Sequence, residues 1–478
     1  MFDFLIGSLV LFTTLLLNIP RRLVNIFKYI ALSGFILIFF WSLCLWIFFD
    51  KSLSILQFFY PIEFLSFANI DLVLGVDGLT LFFIILTTFI TVLSLLAGWH
   101  LEKIHLFIYI LLAVEIALIF CFSVWDTLGF YIVFEVILIP MFFLIGYWGS
   151  RSRKIKAAYF LFLFTVVGSL FMLFALFILY NEVGTLNWLI ISQYNFSLQT
   201  QLIVWFCFFM AFIVKIPSFP FYIWLPEAHV EAPTPGSVIL AALLLKLGGY
   251  ALIRFLISAF PYANIYYKPL FYWIAGLSIF FASFAALRQI DLKRIVAYSS
   301  IAHMNFGLLG MASLTYFGLQ GSIFLMIGHG FVAAALFLMV GVLYDRYHVR
   351  AVKYYGGLAM IMPIYAAFFF FFSLANFSLP GTVNFIGEVL ILVGLMRVNF
   401  VLCILMAISI FFSAAFSVWT CNRIIFGTLG SYFLLAGTDT TRKEFFILLP
   451  LVIGALIFGL QPNLILDYLT VYTKLLVI

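Results

Sequence analysis

The sequence predicts an all-α integral membrane protein of about fourteen transmembrane helices. Hydrophobic residues make up 66% of the chain and charged residues only 9%, against roughly 25% charged residues in a soluble domain. Because lipid offers no hydrogen-bond partners, a spanning backbone has to form helices or a closed β-barrel. The apolar runs are about 20 residues long, which fits a helix and exceeds the roughly 10-residue alternating strands of a barrel.

Each predicted span is an apolar run bounded by polar or helix-breaking residues. The twelfth run is the longest and is interrupted at Pro380. The first run lacks the basic leader of a cleaved signal peptide, so we interpret it as a retained helix. The predicted spans are 2–19, 24–48, 78–98, 104–123, 127–147, 157–180, 200–224, 234–258, 269–287, 294–312, 317–343, 362–396, 400–422 and 444–466.

The distribution of lysine and arginine agrees with this number of spans. Loops and flanks that follow odd-numbered spans hold most of the 24 basic residues, including the cluster from Arg151 to Lys156. Basic loops face the cytoplasm or the mitochondrial matrix, so both chain ends are expected on the opposite side. Such loops contact anionic lipids, and the net charge of +6 therefore requires no nucleic-acid partner.

Several classes of site are excluded because their motifs are missing. The five cysteines lie singly in apolar runs, without the close spacing that iron–sulfur clusters or a disulfide framework require. The glycine pairs match neither a phosphate-binding loop nor a dinucleotide-binding turn. No convergent set of histidines, cysteines and carboxylates indicates a metal site. The sequence therefore predicts that this chain binds no metal, nucleotide or redox cofactor.

Ionisable residues within the predicted spans are the main functional signal, because burying charge in a bilayer is costly. Glu135 lies near the middle of the fifth span without a cation nearby in the sequence. Lys215 lies deep in the seventh span, where Pro217 and Pro220 remove backbone donors and predict a helix break. A broken helix beside a buried lysine is typical of transporters, in which freed backbone groups bind water or ions. A kinked helix with a snorkelling structural lysine is the alternative.

Two further buried charges and a second break suggest an internal repeat. Lys246 lies in the middle of the eighth span, too far from either end to snorkel, and Glu388 follows the break at Pro380. Two interrupted helices that are five spans apart run in opposite directions, which predicts two inverted five-helix repeats, spans 4–8 and 9–13. The predicted divisions are N-terminal helices at 1–98, the first repeat at 99–260, the second repeat at 261–430 and a C-terminal helix at 431–478.

Two histidines and one further carboxylate complete the candidate proton path. His303 and His329 lie in the tenth and eleventh spans, between Lys246 and Glu388 in chain order. Neutral histidine both donates and accepts a hydrogen bond, so this order favours a relay over a purely structural role. Glu115, near the middle of the fourth span, is an accessory candidate. The set predicts vectorial proton movement, with inert structural ion pairs as the alternative.

Long motifs then point to a family. The stretch from Trp224 to Tyr250 contains WLPEAHVEAPTPGSV and LLLKLGGY, and shorter motifs are AYSSIAHM at 297–304, IGHG at 327–330 and NFIGE at 384–388. These motifs resemble the antiporter-like membrane subunits of proton-pumping NADH:ubiquinone oxidoreductase, respiratory complex I. The combination of EAPT, GSV and LLK is similar to the subunit 4 branch of that family rather than to its paralogues, subunits 2 and 5.

The resemblance implies roles for the buried charges. In this family the glutamate of the fifth helix pairs with the lysine of the broken seventh helix. A lysine of the eighth helix, two histidines and a glutamate of the twelfth helix continue a proton path. The matching positions in this sequence are Glu135, Lys215, Lys246, His303, His329 and Glu388.

The resemblance also implies the molecular setting. NADH, FMN, iron–sulfur clusters and ubiquinone are expected in other subunits, so that this chain serves an enzyme without holding a redox centre. The expected partners are the other membrane-arm subunits, especially the paralogous subunits 2 and 5, and lipids such as cardiolipin. Phenylalanine supplies 63 residues, a bias typical of AT-rich organellar genomes. The expected location is the mitochondrial inner membrane, as a multi-pass protein, with the bacterial plasma membrane as the alternative.

One position departs from the family pattern. Many members carry histidine seven residues after the seventh-helix lysine, where this chain has Tyr222. Tyrosine has an unperturbed pKa of about 10, so we expect a neutral bridge there, or a route that relies on water. Two related functions stay open from the sequence: a subunit of a multi-subunit cation/proton antiporter, and the homologous subunit of a chloroplast or hydrogenase-linked complex.

Overall fold

The predicted fold class, an all-α polytopic membrane protein, is confirmed. The computed structural model describes residues 2–20, 22–53, 56–65, 70–429 and 437–477. In these ranges twelve helical segments are long and apolar enough to cross a membrane, and two shorter apolar helices, Phe2–Asn18 and Pro363–Asn376, accompany them. The exact number of spans and the inverted repeats stay predictions. The predicted boundary between 430 and 431 lies outside the described residues.

The N-terminal elements are four long helices, a β-hairpin and a kinked pair of helices. The two helices of this pair meet at a kink at Ile137. The kink lies three residues before Pro140, which cannot donate a backbone hydrogen bond. The elements are α1 (Phe2–Asn18), α2 (Val24–Phe48), β1 (Gln57–Leu65), β2 (Ile70–Val76), α3 (Gly78–Ala97), α4 (Ile104–Ser123), α5 (Thr127–Val136) and α6 (Leu138–Trp148).

The sequence analysis missed the β-hairpin between α2 and α3. Its strands pair antiparallel, with Gln57 opposite Val76. Asp77 follows directly and caps the N-terminus of α3, since its carboxylate accepts from the Thr80 amide at 3.0 Å. Alternation typical of a strand covers only a few residues here, so it is a weak signal beside the long apolar runs that flank it.

The central elements carry the first helix break and the buried eighth span. In that span, π-helical segments at Leu240–Leu244 and Leu252–Ile257 flank α12. The elements are α7 (Lys154–Val183), α8 (Trp188–Ile191), α9 (Leu198–Lys215), a 3₁₀ turn (Phe221–Ile223), α10 (Trp224–Glu231), α11 (Thr234–Ile239), α12 (Leu245–Ala251) and α13 (Pro261–Tyr266).

The C-terminal elements carry the second break. It lies between α18 and α19, where Gly381 has a φ of +93° that favours glycine. The elements are α14 (Lys268–Arg288), α15 (Leu292–Ala312), α16 (Tyr316–Tyr347), a 3₁₀ turn (Val352–Tyr354), α17 (Leu358–Ile361), α18 (Pro363–Asn376), α19 (Val383–Val398), α20 (Phe400–Ile425), α21 (Arg442–Leu460) and α22 (Asn463–Val477).

The predicted fourteenth span, 444–466, is wrong at its C-terminal end. The helix α21 stops at Leu460, and after a turn at Gln461 and Pro462 a separate helix, α22, begins. Pro462 cannot donate to a carbonyl one turn earlier, so a continuous helix is unfavourable at this point. The buried residues of α22, Ile465, Leu469 and Thr473, recur every four positions. This spacing places them on one face, which packs against α16 and α3.

The long helix α16 forms the centre of the described structure. Every residue from Gly318 to Leu343 is buried. Around it pack α3, α11, α15, α18, α19, α21 and α22. By contrast, α1, α7 and α20 expose large apolar side chains such as Leu17, Phe177 and Phe411, as expected of lipid-facing or subunit-facing helices. Polar groups on α16 and its neighbours are therefore shielded from lipid by a layer of other helices.

Candidate proton-transfer site

A lysine and a histidine meet in the interior between the eighth and eleventh spans. Lys246 on α12 is fully buried, and its Nζ lies 2.8 Å from Nδ1 of His329 on α16. The same ammonium donates to the carbonyl of Ala241 at 2.6 Å. Ala241 belongs to the π-helical segment before α12, and such widened turns are frequent at functional sites. If the lysine donates to Nδ1, His329 carries its own proton on Nε2.

A second histidine continues the contact toward the twelfth span. The rings of His303 and His329 have centroids 5.7 Å apart. Nδ1 of His303 lies 3.1 Å from Oε1 of Glu388 on α19, and both side chains are almost fully buried. The four residues Lys246, His329, His303 and Glu388 therefore lie in this spatial order, with hydrogen-bond contacts at both ends and neighbouring rings in the middle; we call them the Lys246–Glu388 line. The sequence placed these four residues on four separate spans, and the structure brings them together.

Small residues allow this line to form. A Cβ added to Gly387 would lie 2.9 Å from backbone atoms of Leu325, and one added to Gly328 would lie 2.8 Å from Val383. These distances are too short for any side chain, so glycine lets α16 and α19 approach closely. The close approach carries Glu388, the residue after Gly387, to the histidines.

The predicted pair at the other end of the path is arranged differently. Lys215, the last residue of α9, is 2% exposed, and its Nζ lies 4.3 Å from the ring centroid of Phe134. Glu135 follows Phe134 on α5 and is close enough to act electrostatically on Lys215. However, no nitrogen–oxygen contact within 4.0 Å joins the two groups. One carboxylate oxygen of Glu135 is buried and has no hydrogen-bond partner within the described ranges.

The two buried lysines lie on helices that touch. A Cβ added to Gly248 would lie 3.1 Å from Cβ of Lys215 and 2.7 Å from Ile216. Gly248 is two residues from Lys246 on α12, so the end of α9 packs directly against the helix that holds Lys246. The break therefore positions Lys215 against the helix that holds Lys246, on the side of α12 that Gly248 occupies.

The first helix break is held by protein hydrogen bonds. The chain leaves α9 at Lys215, and Pro217 and Pro220 prevent its continuation. Three carbonyls at the break accept side-chain hydrogen bonds of 2.9 to 3.1 Å, where the sequence suggested water or ions. The donors are Ser218, Trp224 and Asn305.

The accessory candidates lie apart from the line. Glu115 is fully buried on α4, where one oxygen accepts from the Thr91 hydroxyl at 2.8 Å. Tyr222 is half-buried, and its ring faces Phe281 and Tyr298 at centroid distances of 5.0 and 6.3 Å. The structure shows no polar contact that would connect Tyr222 to Lys215 among the described side chains.

Sequence analysis missed a buried ion pair at the end of the eighth span. The guanidinium of Arg254 lies 2.7 Å from Asp77, the cap of α3, and both side chains are almost completely buried. Its plane faces Trp125 at 4.0 Å and Tyr472 of α22 at 5.3 Å. Arg254 lies inside the predicted eighth span, 234–258, and was not among the candidate residues. An arginine within an apolar run near a span end gives no sign of a distant carboxylate partner.

Two basic residues counted as loop charges are also buried. Lys293 donates to the Ala232 carbonyl at 2.7 Å, and Arg350 donates to the Val230 carbonyl. Both side chains are 2% exposed. The carbonyls at a helix C-terminus lack intrahelical partners, and cations stabilise this end of the helix dipole. These two residues therefore cap α10 in addition to any effect on membrane orientation.

Within the described ranges, no group of three or more histidines, cysteines and carboxylates is arranged to hold a metal ion. The amine, imidazole and carboxyl groups of the Lys246–Glu388 line can exchange protons with one another.

Comparisons with known proteins agree with this chemistry. A family model described as NADH:quinone oxidoreductase/Mrp antiporter, TM, matches residues 124–413. This range contains every residue of the Lys246–Glu388 line as well as Glu135 and Lys215. The chain belongs to this family.

The relatives of this chain are similar over nearly their whole length. A Marchantia polymorpha protein named NADH-ubiquinone oxidoreductase chain 4 is 47% identical over 97% of this chain and 93% of the relative. An Arabidopsis thaliana protein of the same name is 47% identical over 96% of this chain and 93% of the relative. A chain in the solved structure of respiratory complex I from Thermus thermophilus with bound NADH has a TM-score of 0.88 and 28% identity. That match covers 99% of this chain and 98% of the other.

The family therefore gives the chain a general role. It is a proton-translocating membrane-arm subunit of NADH:quinone oxidoreductase, and the resemblance seen in the sequence motifs is confirmed.

Proposed function

We propose that the Lys246–Glu388 line carries protons through this subunit. The observation behind this proposal is the pair of close contacts at the two ends of the line, 2.8 Å from Lys246 to His329 and 3.1 Å from His303 to Glu388. Between them the two imidazole rings lie 5.7 Å apart, and in each ring Nε2 has no hydrogen-bond partner in the described structure, so that a bridging water would complete the route. Proton transfer requires heavy atoms within hydrogen-bond reach, either directly or through one water. A neutral imidazole accepts a proton at one nitrogen and releases one from the other. Such a line moves a proton without net change in the histidines.

Glu135 and Lys215 supply the electrostatic input to this line. A negative carboxylate near Lys215 favours the charged ammonium, and a weaker interaction favours release of its proton. Quinone reduction elsewhere in the complex perturbs the pair, and Lys215 then passes its proton toward Lys246. The packing of α9 against α12 at Gly248 supports this direction. Glu388, at the far end, discharges protons on the opposite side of the membrane.

The chain works within a larger assembly in this proposal. NADH, FMN, the iron–sulfur clusters and ubiquinone are held by other subunits. The paralogous antiporter-like subunits 2 and 5 are the neighbours in the membrane arm, and cardiolipin covers part of the lipid-facing surface. The location is the mitochondrial inner membrane. The names of the plant and algal relatives, which specify ubiquinone, and the phenylalanine-rich composition support this location.

The test is the variant Lys246→Met in the intact complex. Methionine keeps the length of the side chain but removes the proton and the contact with His329. We expect proton pumping and coupled NADH oxidation to fall by on the order of 10²-fold, the lower range for loss of a positioned proton carrier. Both rates are measured in inner-membrane vesicles, with assembly checked by native electrophoresis.

Lys474→Met serves as the matched control, because Lys474 is exposed on α22. We expect its complex to assemble and pump normally. Normal pumping by an assembled Lys246→Met complex would show that the buried line is structural.

A further inference from the structure

A third buried histidine lies next to the Lys246–Glu388 line. His229 on α10 is 0% exposed, and its ring stacks on Phe337 of α16 with centroids 4.4 Å apart and planes 8° from parallel. Neither ring nitrogen has a hydrogen-bond partner within the described ranges. Most buried polar groups are hydrogen-bonded, because an unpaired one costs stability. The isolation of both nitrogens therefore needs an explanation.

His229 lies between the line and a separate group of charges. It is close enough to interact electrostatically with Lys246 and with Lys293, and His329 in turn experiences His229. Lys293 interacts in the same way with Glu231 and Asp345. His229 is thus within electrostatic range of both Lys246 and Lys293. We call Lys293 and Glu231 the Lys293 group.

The junction between α10 and α11 holds the Lys293 group in place. Lys293 donates to the Ala232 carbonyl at 2.7 Å and to the Ser237 hydroxyl at 3.3 Å. The Ser237 hydroxyl also donates to the carbonyl of His229 at 3.1 Å. Glu231, between these residues, is 2% exposed and has one carboxylate oxygen without a partner in the described structure. An amine, a carboxylate and an imidazole are therefore gathered at one helix junction.

A cavity of about 360 Å³ leads from the surface toward this junction. Exposed residues Asp345 and Thr441 line it on the outside, and Thr234 and Leu338 line it on the inside. Thr234 is the first residue of α11, and Leu338 adjoins Phe337, on which His229 stacks. The volume is sufficient for several water molecules, each of which occupies about 30 Å³ in the liquid. Lys443 and His100 also line the cavity, on the side where the basic loops lie.

We propose that His229 is a further proton-transfer residue, which connects this cavity through Lys293 and Glu231 to Lys246 and His329. The inference rests on the proposed function of the Lys246–Glu388 line. A proton from water in the cavity reaches the Lys293 group and then one ring nitrogen of His229. The other ring nitrogen gives up its proton toward Lys246 or His329, so the imidazole ends unchanged. The cavity is thereby the inlet on the basic-loop side.

The chain offers a matched comparison for a histidine that only packs. His105 on α4 also has two ring nitrogens without partners in the described structure, and its ring lies 4.3 Å from that of Phe27. Within the described structure no hydrogen bond, ion pair or ring contact joins His105 to a member of the Lys246–Glu388 line. If stacking alone explained His229, the two histidines would tolerate replacement equally.

The experiment compares His229→Gln with His105→Gln in the intact complex. Glutamine fills much of the same space and forms hydrogen bonds, but it does not carry a proton at neutral pH. For assembled His229→Gln we expect proton pumping and coupled NADH oxidation to fall about tenfold or more, since a positioned proton carrier contributes about 10²- to 10⁴-fold in catalysis. For His105→Gln we expect normal rates.

A second variant separates proton transfer from packing. In His229→Gly, added imidazole is expected to restore pumping, whereas thiazole, a ring of similar size that stays unprotonated, is not. Equal rescue by both rings would overturn the proposal, because it would show that only the volume matters. If the His229 variants fail to assemble, Asp345→Asn tests the proposal instead, because Asp345 lies at the exposed mouth of the cavity. We expect slower pumping in this variant. Normal pumping would contradict the proposal that the cavity is the proton inlet.

The outcomes also distinguish this inference from the function on which it rests. Normal pumping in assembled His229→Gln, together with blocked pumping in Lys246→Met, would overturn the inlet and leave the Lys246–Glu388 line standing. Normal pumping in both would overturn both.

Discussion

The two halves of the buried path differ in how their charges meet. From Lys246 to Glu388 two hydrogen-bond contacts flank a pair of neighbouring imidazole rings, and small residues on α16 and α19 bring the helices together. Between Glu135 and Lys215 no direct contact within 4.0 Å exists, and the lysine ammonium instead faces the ring of Phe134. A continuous line suits conduction, because little has to move. A charge pair held apart suits control, because a small displacement changes its interaction energy strongly.

Coulomb's law explains why a separated pair is sensitive. The interaction of two unit charges falls with the inverse of distance, and in a medium of low dielectric constant it is several times stronger than in water. An approach or separation of about 1 Å therefore alters the balance between charged and neutral Lys215. In the second half, the same displacement would only stretch a hydrogen bond. The first half is thus the place where a signal from a neighbouring subunit would have the greatest effect.

The largest expected effect is that of Lys215→Met, which tests whether the first half of the path delivers protons to the second half. If Lys215 delivers protons to the line, its loss blocks coupled turnover nearly as completely as loss of Lys246, on the order of 10²-fold. The measurement is proton pumping coupled to NADH oxidation in inner-membrane vesicles, with assembly checked in parallel. An assembled Lys215→Met complex with normal pumping would mean that protons enter the line without the first half.

An intermediate effect is expected from Phe134→Leu. The change removes the aromatic face beside the Lys215 ammonium, an interaction worth about 0.5 to 2 kcal/mol. Lys215 is then expected to shift toward Glu135, and the tighter pair slows coupled turnover several-fold, since 1.4 kcal/mol corresponds to about tenfold. Steady-state rates of the assembled complex measure this effect. Phe164→Leu, on α7, is the control. Faster turnover in Phe134→Leu would contradict the proposal that the separation between Glu135 and Lys215 controls turnover.

The smallest effect is expected from Tyr222→Phe. The ring of Tyr222 contacts other aromatic rings, and phenylalanine keeps these contacts. We therefore expect pumping within about twofold of normal, which is the size of a loss below 0.5 kcal/mol. A collapse of pumping in this variant would show that the hydroxyl takes part in the route, most simply as a hydrogen-bonding bridge between Lys215 and Lys246.

Sequence analysis found the buried charges because a charged residue within an apolar run is easily recognised and is energetically costly to bury. Lys246 and Glu388 interrupt long apolar runs, so each demands a partner whatever the fold. The identity of the partner is a different question. That His329 meets Lys246 while His303 meets Glu388 depends on how four helices pack, and helix packing is decided by contacts between residues far apart in the sequence. Lys215 shows the same limit, since the sequence indicated its break but not the ring of Phe134 beside it.

The buried polar residues that sequence analysis missed were overlooked for a second reason. Lys293, Arg350 and His229 lie near helix ends, where charged and polar residues are common for reasons of solubility and membrane orientation. A cation that caps a buried helix C-terminus has the same sequence appearance as one in a loop. The hairpin was missed for a related reason, because its short alternation is weak compared with the apolar runs around it.

The contact between Arg254 and α22 determines how a mutation in α22 would affect the protein. The ring of Tyr472 on α22 covers one side of the guanidinium that pairs with Asp77. A substitution at Tyr472 would remove that ring while leaving every candidate proton carrier intact. The buried arginine would lose a neighbour that shields it, and burial without full compensation destabilises a charge pair. The loss of a side chain on α22 would therefore act as a defect in the interior of the molecule.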